Sequence, residues 1–132
     1  MTNLIRVLVL GASFALAFGT PLSALAEEPP PVTQSVTLDT NGKTDVLLSH
    51  AKKNEMIFER LGIKAKRRYL QGTLAGASSG DVIVVIDYPN LAALADAQAK
   101  LSNDKEWQSY IDKITAAGIT VTSNSLWADI TP

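Results

Sequence analysis

Five consecutive β-branched residues, Val82 to Ile86, constrain this chain more than any other feature. Successive side chains of a strand point to opposite faces, so a strand with one wet face alternates apolar and polar residues. This one does not alternate, and both faces of its sheet must therefore be covered. Pro89 ends the strand, Asn90 follows as a helix N-cap, and NLAALADAQAKL reads as an alanine-rich helix. Its expected inner stripe is Leu91, Leu94, Ala95, Gln98 and Leu101. After a break at Ser102-Asn103, a further helix capped by Asn103 or Asp104 places Trp107, Tyr110, Ile111, Ile114 and Ala117 on one side and stops at Gly118.

The remaining segments supply three more strands and one more helix. Gln34 to Thr40 alternates, with Val36 and Leu38 on one face, and Asn41-Gly42 punctuates. Thr44 is expected to cap a single helix that ends at Gly62, its inner stripe being Leu47, Ala51, Asn54, Phe58 and Leu61, bordered by His50 and Ile57. Ala65 to Ala75 reads as a second strand with a bulge or bend at Gly72, and residues 76–80 form the hairpin loop into the third strand, Asp81 to Tyr88. Thr120 to Ile130 is the last strand. The order β-α-β-β-α-β predicts an α+β, ferredoxin-like domain: a four-stranded antiparallel sheet with helices on one face. Such a domain leaves the other face of the sheet bare.

Residues 1–26 read as a secretory signal peptide. Arg6 precedes the apolar run Val7 to Phe18, Gly19, Thr20 and Pro21 close it, and Ala24-Leu25-Ala26 offers small residues before a cut at Glu27. A periplasmic or secreted protein is expected, with no membrane contact after cleavage. Residues 27–33, with three consecutive prolines, read as a tether, and 34–132 as one domain. The chain has no cysteine, hence no disulfide. A domain of this size buries only about 60–70% of the surface its unfolded chain exposes, which makes dimerisation a natural way to bury more. Residues 27–132 carry a net charge of −2, without the basic excess of a nucleic-acid binder; the cluster Lys64, Lys66, Arg67 and Arg68 reads as a solvated strand start.

No nucleophile, base and acid stand at a recognisable spacing, and no metal-ligand cluster or phosphate loop is present in the sequence. The candidate site is instead a set of polar side chains on apolar stripes. His50, the single histidine, borders the first helix stripe, Asn54 lies near its centre, and Gln98 lies on the stripe of the second helix. Buried amides need partners, which can be backbone, water or a ligand. Tyr69 could contribute from the sheet. Arg67, Tyr69 and Gln71 share a strand face that suits a carboxylate or phenol, although such residues more often line a dimer seam. Asp87 could act as a base only if burial raised its pKa. Trp107 and Tyr110 recur at helical spacing and read as core.

The strand VIVVIDYP running into NLAALADAQAKL, the element NDKEWQ and the closing strand SNSLWADI resemble the dimeric α/β-barrel superfamily, which includes the antibiotic-biosynthesis monooxygenases and NIPSNAP-like domains. The resemblance spans nearly all of the chain after residue 26. It implies that two sheets close into a barrel across a twofold axis, covering the second face of Val82 to Ile86, and that any ligand sits in one subunit between sheet and helices. The haem-degrading branch uses an Asn, a Trp and a His as a set; no alignment places that set on Asn54, Trp107 and His50, and no cofactor is expected. Three readings stay open. One is a binding protein for a small apolar or aromatic molecule; another is a cofactor-independent oxygenase with His50 or Tyr69 assisting proton transfer; the last is a structural dimer without a ligand. The first two predict a cleft of several hundred Å³ beside His50, Asn54 and Gln98.

Overall fold

The computed structural model describes residues 28–73 and 76–132, so the expected signal peptide lies outside the described residues. The elements are β1 (Val32–Asp39), α1 (Thr44–Ser49), α2 (Ala51–Arg60), β2 (Lys66–Gln71), β3 (Val82–Tyr88), α3 (Leu91–Ser102), α4 (Lys105–Ala116) and β4 (Thr120–Ala128). The strands form one sheet in the order β2-β3-β1-β4 with every neighbouring pair antiparallel, which is the ferredoxin-like arrangement.

Local chemistry accounts for most of the element ends. Asn90 caps α3 by accepting from the Ala93 amide at 2.8 Å, and Asp104 caps α4 by accepting from the Trp107 amide at 2.8 Å. The other carboxylate oxygen of Asp104 meets Arg60 at 2.8 Å, tying the start of α4 to the end of α2. The Trp107 amide and Arg60 together hold the Asp104 carboxyl below its usual range. Both α2 and α4 end in a left-handed glycine, Gly62 at φ 67° and Gly118 at φ 84°. In each case the next residue reaches back to the helix, Ile63 to the Phe58 carbonyl and Ile119 to that of Ile114, and the same isoleucine is buried in the core.

Several elements differ from expectation, including the last strand, which ends at Ala128 and not at Ile130. The strand β1 begins at Val32, inside the segment read as a tether, because Val32 is buried and pairs with Tyr88 and Ala128. The helix expected from Thr44 to Gly62 divides at His50, and the Thr44 hydroxyl bonds to that of Thr40 instead of capping. Strand β2 stops at Gln71 because Gly72 closes the hairpin, donating to the Asp81 carbonyl and accepting from the Gly80 amide. On α3 the buried stripe is Leu94, Ala97 and Leu101, while Leu91, Ala95 and Gln98 are exposed. Ala97 is fully buried with Leu94 and Leu101, and this phase of the helix turns Gln98 to solvent.

Cross-strand register sorts the sheet into two faces. Val82, Val84, Ile86 and Tyr88 of β3 face the helices, as do Val32, Val36 and Leu38 of β1. One packed cluster joins Ile57, Phe58, Leu94, Ala97 and Leu101 to one end of the sheet. Another joins Leu47, Tyr110, Ile114 and Ile119 to the other end, and Trp107 touches both. The opposite face carries Ile83, Val85, Leu70 and Trp127 among Thr33, Ser35 and Thr37. There Leu70 is 48% and Trp127 59% exposed. Within one chain the apolar β3 strand is thus covered on a single side.

Candidate binding site between the sheet and the helices

Alternation along β2 decides what the site contains. Arg67 stands opposite Ile86 and Tyr69 opposite Val84, so both point under the helices and not at the bare face expected to form a dimer seam. The Arg67 guanidinium carbon sits 3.9 Å from the centre of the Phe58 ring. Its Nη2 atom is buried and has no hydrogen-bond partner, and the same holds for Oδ1 of Asn54, a residue only 2% exposed. Asn54 and Phe58 are one helical turn apart on α2, so the two unpartnered atoms belong to one region.

Aromatic rings line that region in sequence. Phe58 and Trp107 meet edge-on at 5.9 Å, Trp107 and Tyr110 are tilted at 5.2 Å, and Tyr110 meets His50 edge-on at 6.0 Å. Contacts of this kind add about 0.5–1.5 kcal/mol per pair beyond burial. Burial pushes the Tyr110 phenol up; the Asn54 side chain pulls it down, Tyr69 pushes it up, and Arg67 pulls it down. Burial likewise pushes Tyr88 up to about 12, against the pull of Arg67. Arg67 is therefore the positive charge felt by two buried phenols that are neutral at ordinary pH.

The structure brings His50, Asn54 and Tyr69 to this region and leaves Gln98 outside it, exposed on α3. Neither His50 nor Tyr69 forms a side-chain hydrogen bond among the described residues. Asp87 accepts from Thr33 at 2.7 Å and from Arg68 at 3.2 Å on the helix-free face, where it braces three strands. Two grooves of the structure lie elsewhere. A groove of about 420 Å³ lies beside Thr33, Asp87 and Trp127, and one of about 520 Å³ beside Asp39, Thr40, Gln71 and Asp81. Neither reaches Asn54 or Arg67, whose surroundings are packed by their own aromatic neighbours. The sequence offers Arg67 for a carboxylate or phenol but favours a dimer seam for it, and it reads Phe58, Trp107 and Tyr110 as core; the structure gathers all four around Asn54. The available signal was the period of two in β2, which fixes Arg67 and Tyr69 on one face but does not say which face the helices cover.

Tyr88 yields a test of this burial. Its raised pKa means that folding favours the neutral phenol, so its contribution to stability is complete below pH 10 and is lost as pH rises towards about 12. Phenolate absorbance should show Tyr88 ionising together with unfolding in that window, and Tyr88→Phe should remove the step. A Tyr88 that titrates near 10 in a folded protein would contradict the burial.

The ferredoxin-like fold is shared with a solved structure described as a NIPSNAP family protein from Agrobacterium tumefaciens strain C58. The likeness has a TM-score of 0.58 at 15% sequence identity and covers 83% of this chain and 92% of that one. No protein-family model matches the chain. No curated protein matches it either. The shared property is the fold.

Proposed function

We propose that this chain is an exported homodimer whose subunits close through their helix-free sheet faces, each holding a small apolar or aromatic molecule between sheet and helices. The observation that carries the binding reading is the pair of buried, unpartnered atoms, Asn54 Oδ1 and Arg67 Nη2, among aromatic rings. An unsatisfied buried polar group costs about 1–3 kcal/mol, and a ligand that supplies the missing partners removes that cost. The dimer reading rests on Ile83, Val85, Leu70 and Trp127 on a face that one subunit leaves bare, and export rests on the pattern of residues 1–26. Binding sites are mostly apolar with a few convergent polar groups, which describes this region.

A melting screen against phenolic, aromatic-acid, lipid-like and haem compounds tests the proposal. A ligand present at 100 times its dissociation constant should stabilise the protein by about 2.7 kcal/mol. Asn54→Leu should reduce that shift. A second reading, a dimer module without a ligand, is favoured by the aromatic packing around Asn54 and by two grooves that lie away from it, and it predicts the opposite pattern. On that reading Asn54→Leu raises the melting temperature and no compound shifts either protein.

A further inference from the structure

We infer that the molecule taken between sheet and helices is a small aromatic carboxylate, held through its charged oxygens by Arg67; this rests on the reading that the region binds a ligand at all. The argument begins with charge. A guanidinium does not lose its proton in a protein, so the buried Nη2 of Arg67 belongs to a permanent cation. The ion pairs of the structure engage Arg60, Arg68 and Lys100, and none includes Arg67 among the described residues. The two phenols nearest in effect, Tyr88 and Tyr110, are held neutral by burial and cannot serve as counter-ions. A partly buried cation without a partner is costlier than an unpaired amide, and a carboxylate is the group whose planar pair of oxygens matches the guanidinium fork.

The surroundings specify the rest of the molecule. Phe58 lies beneath the guanidinium at 3.9 Å, which orients the fork by cation–π contact. Trp107 and Tyr110 extend the aromatic wall, offering a ring edge-on and stacked contacts. Asn54 Oδ1 is an acceptor without a donor, which a ring hydroxyl would supply. Arg67 is half-buried over the Phe58 ring, so a carboxylate that meets the guanidinium also meets an aromatic face.

Calorimetric titration of the full-length protein with benzoate, 4-hydroxybenzoate, acetate and benzamide tests the inference, because benzamide keeps the shape of benzoate and removes its charge. Benzoate and 4-hydroxybenzoate should bind at least 10-fold more tightly than benzamide or acetate. Arg67→Met should abolish the preference and Arg67→Lys should retain part of it. Equal binding of benzoate and benzamide would overturn the carboxylate inference while leaving the binding reading intact. Acetate binding as tightly as benzoate would overturn the aromatic part. If no probe binds and Arg67→Met only raises the melting temperature, the inference and the binding reading both fall. Should Arg67→Met fail to fold, the comparison of benzoate with benzamide on the unaltered protein decides the matter.

Discussion

Ile83→Asp is expected to convert the proposed dimer to monomers. Ile83 lies on the helix-free face, opposite Thr37 on β1 and Leu70 on β2, with no basic residue directly across either ladder to pair with a new carboxylate. Val85 is a less clean position because Arg68 stands opposite it. Closing two such faces with an unpaired carboxylate in each costs about 2 kcal/mol or more per subunit, which weakens a dimer roughly a thousandfold. Light scattering or sedimentation at micromolar concentration should report twice the chain mass for the unaltered protein and the single chain mass for the variant. Gln98→Asp, on the exposed side of α3, should leave the dimer unchanged. A monomeric unaltered protein would remove the dimer reading and leave Trp127 and Leu70 as exposed apolar side chains.

Leu47→Ala is expected to be the most destabilising single truncation in the domain's second core cluster. Leu47 is 0% exposed and packs among Leu38, Val82, Tyr110, Ile114 and Ile119. Leucine-to-alanine changes at such sites cost about 2–5 kcal/mol. For a domain near 100 residues that lowers the melting temperature by roughly 10 °C or more. Leu48, the adjacent residue at 48% exposed, supplies the control, since Leu48→Ala should stay within about 0.5 kcal/mol. Urea unfolding of both variants at one protein concentration makes the comparison. Similar losses at the two positions would mean that the phase of α1 differs from the one described.

The element order was legible because each signal is local. Asn90 and Asp104 announce helices through side chains that bond within their own first turns, and Gly62 and Gly118 end helices because a left-handed residue must follow. The five-residue apolar run of β3 is likewise a local pattern with a global demand, and it implied a ferredoxin-like sheet needing cover on both faces. These interactions span a few residues, so the chain carries them in whatever context it folds.

The site was not decided at that level. Two choices of facing made it, and both depend on contacts far apart in the chain. The register of β2 against β3 turned Arg67 and Tyr69 under the helices, where the cation meets Phe58 and two neutral phenols and lacks a counter-charge. On α3 the residue turned to the core is Ala97 and Gln98 faces solvent, although sequence periodicity placed Gln98 on the inner stripe. Periodicity assigns residues to faces without saying which face is covered, because a strand or helix has the same repeat whichever side the core lies on. Only the packing of α2 and α4 over β2 and β3 selects the side, and with it which polar atoms are left unpaired.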